Sequence, residues 1–351
     1  MASRFSVLQY PEVLPVRALH ALVRARLIGA GFKWETRRTG DLQIGLWRKS
    51  LAPKSKAKTL PAPSAHEKVK RIVWIPTLGD SPLSWFPVLM LLKTFLRGKR
   101  GKYDELVVVD YPGFSGFLAK EPAFHSLDLL FENTFDVFDS LKPHTLVGHG
   151  LGGWLAARYA VYWGQGGRKK TRGYDGPKKI IVVDPGGVFR DASRRWMLPQ
   201  MSLQESLQGS SDQRTDESRS VAFRRKMFKR EPRWLKFLTG DLDRCLGTPE
   251  IQKLGESVRL EHLLDRKLDS LRCPAVVIWG ENDEVVPCAA LGTWLEELAQ
   301  SEGFGSYGVV LHGCGHSPHL EKPLMLTRVL SSALKGQRLA SRAGKWTAIH
   351  P

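Results

Sequence analysis

From residue 71 onward, short apolar runs alternate with longer segments whose apolar positions recur every three or four residues. The runs Arg71–Ile75, Glu105–Val109, Thr145–Val147, Ile180–Val183, Ala275–Trp279 and Tyr307–Leu311 are rich in Val and Ile. They lack polar alternation, so each predicts a strand buried on both faces. Between them, Trp85–Phe95, Ser126–Leu141, Gly152–Trp163, Ala289–Ala299 and Lys322–Leu334 predict helices. In Ser126–Leu141, the residues Leu127, Leu130, Phe131, Thr134, Phe135 and Phe138 share one helical face. Strands alternating with helices predict an α/β fold, a mostly parallel sheet with helices on both faces.

The pattern changes outside this frame. Residues 31–48 predict a hairpin: Phe32, Trp34 and Thr36 precede a turn at Thr39-Gly40-Asp41, and Leu42, Ile44 and Leu46 follow it. Residues 49–70 read as a Lys-, Ala- and Pro-rich linker. The interval from Pro185 to Leu271 is too long for a simple crossover. It opens with the polar stretch Ser202–Ser220 and continues into Val221–Leu246, with Trp234, Leu235, Phe237 and Leu238. This predicts an inserted helical cap over 188–270. The core is then 31–187 and 271–335, flanked by basic segments at 1–30 and 336–351.

The candidate chemistry sits at strand ends. Val147-Gly148-His149-Gly150-Leu151-Gly152-Gly153 spans a strand-to-helix junction. Asp283 lies in Trp279-Gly280-Glu281-Asn282-Asp283 after the next-to-last strand, and His316 in Gly315-His316-Ser317-Pro318-His319 after the last. Asp110-Tyr111-Pro112-Gly113-Phe114-Ser115-Gly116 follows an earlier strand. In this order the four segments resemble the α/β-hydrolase superfamily, over about residues 31–335. That family sets a nucleophile on a sharp G-x-S-x-G turn. The resemblance implies Asp283 as the acid and His316 as the base. It implies oxyanion donors in the backbone N–H of Leu151 and of Thr77 or Leu78, although Pro76-Thr77-Leu78-Gly79 stands where the family usually has His-Gly.

The departure is Gly150, in the serine's position. Glycine cannot be acylated. The resemblance therefore implies a vestigial set, Gly150, Asp283 and His316, in a member that lacks its nucleophile. Glycine would also relieve the strained backbone of such a turn. Other readings stay open. Ser81, Ser84, Ser115, Ser317 and Cys314 lie on loops near the expected site, but none is on the turn. Asp283 and His316 could act as a base pair on water or abstract a proton directly. Asp184 is an alternative acid. Gly148, Gly150 and Gly153 also spell G-x-G-x-x-G, but Tyr162–Arg172 offers neither the second strand nor the acid that a dinucleotide site needs. His149 reads as a packed neighbour of the turn and His319 as a helix-start residue. No cofactor or metal is expected.

Charge adds a second theme. The net charge is +18, from 53 Lys and Arg against 35 Asp and Glu. The excess gathers in 164–179, 221–240 and 331–351, with Lys169, Lys170, Arg172, Arg224, Arg225, Lys226, Lys229 and Arg230 as candidate contacts. Such segments attract polyanions, which predicts a larger assembly with RNA or an acidic protein and leaves peripheral membrane contact open. Arg4, Arg17, Arg24, Arg26 and Lys33 face one acid, Glu12, near the N-terminus. That fits a mitochondrial presequence and predicts the matrix, with the cytoplasm as the alternative. No apolar run is long enough to span a membrane. Cys245, Cys273, Cys288 and Cys314 form no C-x-x-C pair and read as free thiols. Together these observations predict a non-catalytic structural or binding subunit, a pseudoenzyme of an RNA–protein assembly. The alternatives are an unconventional hydrolase that uses Asp283 and His316 as a base pair, and a small-molecule or lipid-binding protein with its pocket under the cap.

Overall fold

The apolar runs become the centre of a nine-stranded sheet among the described residues. The computed structural model describes residues 14–40, 42–51, 69–77, 80, 82–96, 103–111, 124, 126–167, 173–188, 225–233, 249–302 and 305–350. The strands are β1 (Lys33–Thr39), β2 (Leu42–Ser50), β3 (Arg71–Ile75), β4 (Glu105–Asp110), β5 (Thr145–His149), β6 (Lys179–Val183), β7 (Ala275–Gly280), β8 (Tyr307–Leu311) and β9 (Trp346–Ile349). The helices are α1 (Leu14–Gly29), α2 (Phe86–Leu96), α3 (Leu127–Leu141), α4 (Leu151–Gly164), α5 (Pro249–Glu256), α6 (Ala290–Leu298), α7 (Pro318–Glu321) and α8 (Pro323–Lys335).

The sheet order is β1-β2-β4-β3-β5-β6-β7-β8-β9. The central strands β4 to β8 are parallel, and antiparallel strands close both edges. Successive strand residues enter opposite cores. Val73, Ile75, Leu146, Ile180 and Val277 pack under α3, α4 and α6 with Phe138 and Trp154. Ile72, Trp74, Val147, Ile181 and Val276 pack under α2 and α8 with Trp85, Leu89 and Leu330. A wholly apolar run is what a strand covered on both sides requires.

The chain runs from β3 outward to β4 and then returns to the other side of β3 as β5. The carboxyl ends of β3 and β5 therefore flank the point where winding reverses, the general place for a ligand in an open α/β sheet. Residue 76 onward leaves one end, and Gly150 leaves the other.

Two segments carry structure that the sequence reading does not give them. The segment 336–351, read as a basic tail, carries β9, which pairs with β8. Trp346 is buried there, donates its indole N–H to the Ala340 carbonyl at 2.9 Å, and lies under Arg342. Four residues, Trp346–Ile349, are too short a run to predict a strand. The N-terminal helix α1 docks on the domain: Leu27 is fully buried, and the Arg24 guanidinium sits 5.5 Å from the Trp34 ring and 5.6 Å from the Trp47 ring. In the inserted cap, residues 225–233 and 249–270 are described, including α5, whereas the linker 52–68, Ser202–Ser220, Trp234, Leu235, Phe237 and Leu238 lie outside the described residues. No helix among the described residues is long and apolar enough to cross a membrane. Cys273, Cys288 and Cys314 are free thiols, and Cys245 lies outside the described residues.

Asp110, at the end of β4, is 7% exposed, and burial pushes its carboxyl up to about 7. A carboxyl with a raised folded pKa takes up a proton on folding between about pH 4 and that value. Its stability contribution is therefore present in acid and is lost as the pH rises through about 7. Asp110→Asn should raise the melting temperature more at pH 8 than at pH 4; equal shifts at both pH values, measured by thermal unfolding, would refute the burial argument.

Candidate active site

The turn from β5 into α4 is set by close approach. A Cβ on Gly152 would stand 2.3 Å from the Ile75 carbonyl oxygen of β3, so only glycine lets the helix start there. Gly150, the residue between strand and helix, has φ +52° and ψ −117°. Side chains rarely adopt that φ, and glycine does so without a Cβ penalty. The Gly150 amide donates to the Val183 carbonyl at 2.9 Å, which fixes the turn against β6.

His316 and Asp283 converge on this turn from the ends of β8 and β7. The Asp283 Oδ1 accepts the amides of Val285 and Val286 at 2.8 and 2.9 Å. Its Oδ2 lies 2.8 Å from His316 Nδ1. Both residues are 4% exposed. A carboxylate at Nδ1 holds the imidazole proton there and leaves Nε2 as a free base. A Cβ built on Gly150 would lie 3.3 Å from that Nε2. The base therefore faces the space in which a side chain of the turn residue would stand.

Asp184, the alternative acid, has a different task. Its Oδ1 accepts the Gly280 amide at 2.7 Å. Burial, then the adjacent charge of Asp283, push its carboxyl well above the usual range. Two buried carboxylates at such proximity do not both ionise. Asp184 is the carboxyl whose ionisation is disfavoured, and Asp283 is the one that hydrogen-bonds His316.

A second polar layer lies behind the turn. His149 Nε2 donates to the His316 carbonyl oxygen at 2.7 Å, so the turn and the base share a backbone link. His149 Nδ1 is 3.9 Å from Asp80 Oδ2, and His319 Nε2 is 3.4 Å from the same oxygen. His319 stacks on Trp85 with centroids 4.2 Å apart, and the Trp85 indole N–H donates to Asp80 at 2.8 Å. Burial lowers the pKa of both imidazoles, that of His319 to about 3. They are neutral supports of the turn. His149 is thus the packed neighbour expected. His319 does start a helix, α7, but also reaches into this layer. Asp80 was missed, because a lone acid after a Pro-Thr-Leu-Gly loop carries no distinguishing spacing. Asp80 with His149 and His319, and His149 with Asp184 and His316, each bring three donor atoms within 4.8 Å of one another, a spacing that could hold a metal ion.

The oxyanion side departs from expectation. The Leu151 N–H donates to the hydroxyl of Thr77 at 3.1 Å. Thr77 enters with its side chain. A Cβ on Gly150 would meet Thr77 Oγ1 at 2.2 Å and Thr77 Cβ at 2.9 Å. The space vacated at the turn is filled from the neighbouring loop. Leu78 lies outside the described residues.

The other candidate nucleophiles stand elsewhere. Ser84 hydrogen-bonds Asp80. Ser317 is fully buried, with no hydrogen-bond partner for its hydroxyl among the described residues. Cys314 is fully buried in the core under α8, and burial drives its thiol pKa far up. Cys288 is pushed up to about 12. Neither thiol forms a thiolate near neutral pH. Ser81 and Ser115 lie outside the described residues.

Of the basic candidates, Arg225, Lys229 and Arg230 are exposed and Lys226 is half-buried, whereas Lys169, Lys170, Arg172 and Arg224 lie outside the described residues. Their segment packs on the base. Glu321 accepts the Gly315 amide at 2.7 Å and the Arg230 amide at 3.0 Å, which ties residues 225–233 to the loop that carries His316.

A sequence model of the alpha/beta hydrolase family matches residues 72–327. No curated protein matches the chain in sequence. Similar solved structures include the carboxylesterase CesB of Bacillus subtilis, 15% identical, with a TM-score of 0.62 over 93% of this chain and 100% of that one. An esterase of Exiguobacterium antarcticum is 15% identical, with a TM-score of 0.60 over 86% and 100%. The enol-lactonase of Burkholderia xenovorans is 14% identical, with a TM-score of 0.56 over 86% and 100%. At these identities the likeness is one of fold, an α/β-hydrolase fold with a helical insertion.

The geometry corrects the expectation drawn from Gly150. The set of Gly150, Asp283 and His316 is not vestigial: the buried His316–Asp283 pair is intact and aimed at a space that holds a hydroxyl. The non-catalytic subunit and the pseudoenzyme inferred from it are overturned by this pair. The physical reason is that the base and its acid are held by the loops after β8 and β7, and their hydrogen bond does not involve the residue at the turn.

The fit between Gly150 and Thr77 can be measured directly. Gly150→Ala adds both a strained φ and a contact with Thr77, about 2–5 kcal/mol together. In a Thr77→Gly background the contact part should vanish, giving a coupling of about 1–3 kcal/mol in a urea-unfolding double-mutant cycle. A coupling near zero would show that the two residues do not share this space.

Proposed function

Because the chain belongs to the alpha/beta hydrolase family, we propose that it is a hydrolase of carboxylic esters in which His316, oriented by Asp283, is the general base. The observation that carries this reading is the 2.8 Å contact between His316 Nδ1 and Asp283 Oδ2, with Nε2 directed at the turn. Proteins with the same fold are named carboxylesterase, esterase and enol-lactonase, and these names support the ester as the bond class proposed here.

The chemistry follows from the parts. His316 takes a proton from an oxygen nucleophile lying between Nε2 and Gly150. Asp283 stabilises the imidazolium, and the preset Nδ1 proton means that no tautomer change is needed. The Leu151 N–H donates to the oxygen that becomes negative in the tetrahedral intermediate. His316 then returns its proton to the departing alkoxide.

Beside this reading stand three smaller proposals. Residues 188–270 serve as the cap of the site, supported by the packing of 225–233 on the His316 loop. The exposed Arg225, Lys229 and Arg230, with Lys169, Lys170, Arg172 and Arg224, meet an anionic partner, RNA or acidic protein, supported by the clustering of charge. The mitochondrial matrix is proposed as the location, from the Arg-rich segment 1–30.

The test of the main reading is hydrolysis of a short acyl ester, such as p-nitrophenyl butyrate, by the full chain. His316→Ala and Asp283→Asn should each lower kcat about 10²-fold or more, with folding checked by circular dichroism. An ester turnover that both substitutions leave intact would refute the base pair, and its absence in the wild-type chain would refute the ester reading.

A further inference from the structure

We propose that the hydroxyl of Thr77 is the nucleophile of this site, delivered from the loop after β3 into the space that Gly150 leaves bare. The proposal rests on the reading of His316 and Asp283 as a working base pair. It concerns the atom on which that pair acts.

The placement is the first argument. A side chain on residue 150 would put its Cβ 2.2 Å from Thr77 Oγ1 and 3.3 Å from His316 Nε2. The threonine oxygen thus stands in the volume that a serine on the turn would occupy, and the base faces that volume. Thr77 is 6% exposed, so its hydroxyl is held by the fold. The branched Cβ restricts the side chain to few rotamers and fixes the direction of the oxygen.

The hydrogen bonding is the second argument. Thr77 Oγ1 accepts the Leu151 N–H at 3.1 Å. That bond uses a lone pair and leaves the hydroxyl proton for an acceptor. His316 Nε2 is an acceptor, because Asp283 holds the other ring nitrogen in its protonated form. The attacking oxygen and the carbonyl oxygen finish on one carbon. A donor that touches the first before reaction is therefore close to the second during it.

The third argument is reciprocity. Threonine in this position excludes every side chain at residue 150, and glycine at 150 makes room for the threonine. A side chain at residue 150 and the hydroxyl from the adjacent strand end are therefore alternatives for one space. Ser84, Ser317, Cys288 and Cys314 share neither the space nor the donor.

The reaction balances without a cofactor. The Thr77 oxygen bonds to the acyl carbon, its proton moves to His316 Nε2, and the carbonyl π pair moves to the oxygen facing Leu151. Collapse breaks the bond to the alcohol oxygen, which leaves with the proton from Nε2. The acyl group is then an ester of Thr77. Water gives a proton to Nε2 and its oxygen to the acyl carbon, the bond to Thr77 breaks, and Thr77 recovers the proton.

The experiment uses the full chain and two readouts. A fluorophosphonate probe should add once per chain, on the peptide that contains Thr77, as read by mass spectrometry. Thr77→Ser should keep the adduct, and Thr77→Val should lose it together with at least about 100-fold in kcat on p-nitrophenyl butyrate. If the Val variant does not fold, the position of the wild-type adduct decides. An adduct on another residue, or ester turnover with no adduct, overturns the proposal. Turnover that survives Thr77→Val but not His316→Ala assigns the attack to water, which removes the nucleophile proposed here and keeps the hydrolase. Absence of both turnover and adduct in the wild-type chain removes the hydrolase reading itself.

Discussion

The strand-to-helix turn is pressed so tightly on the end of β3 that residue 152 has no room for a Cβ beside the Ile75 carbonyl. This contact fixes how closely β3 and β5 end together, and most of the site follows from it. With the two ends so near, the loop after β3 can reach the turn residue. Thr77 does so, and Gly150 is then required twice, by its φ of +52° and by the threonine atoms beside it. An elbow built in this way cannot be judged from the turn residue alone. Its chemistry is shared between two strand ends that lie far apart in sequence.

Burial arranges the charges around that turn. Four ionisable side chains, Asp283, Asp184, His316 and His149, are nearly or wholly removed from water. A charge there is stable only when it is hydrogen-bonded and unopposed. Asp283 has the amides of Val285 and Val286 and the imidazole of His316. Asp184 has one amide, and burial followed by the neighbouring Asp283 raises its carboxyl above the usual range. His149 and His319 lose their protons to burial and serve as neutral spacers. The result is a hydrogen-bonded carboxylate placed against the base, where it stabilises a positive charge that exists only during reaction.

Much of this was legible from the chain. The strands from Arg71 to Leu311 could be read because each is a short, wholly apolar run. Asp283 and His316 could be read because each follows such a run in the expected order, and a positive φ at Gly150 because glycine suits a strained turn. The role of Thr77 could not be read. Its backbone N–H was weighed as a donor, but whether its side chain enters the site depends on the approach of β3 to α4, a contact between residues distant in sequence. Asp80 was hidden for the same reason. The inference from Gly150 to an inert site failed because it treated the turn as the whole of the machinery. The base is built on other loops, whose geometry does not register what the turn residue is.

The surplus of positive charge looks different once its packing is known. The Lys and Arg content of residues 221–240 predicts a contact surface, and 225–233 is the described part of it. In the structure this segment also closes on the base. A Cβ on Gly315 would stand 2.6 Å from the Met227 carbonyl oxygen, so glycine next to His316 is what lets the cap segment approach. Glu321 then joins the two by accepting an amide from each. The side chains of Arg225, Lys229 and Arg230 remain on the exposed side of this clamp. Charge outside and backbone contacts inside belong to one short stretch of chain. Glu321 is therefore the one side chain that hydrogen-bonds both the cap segment and the loop that positions His316 among the hydrogen bonds described.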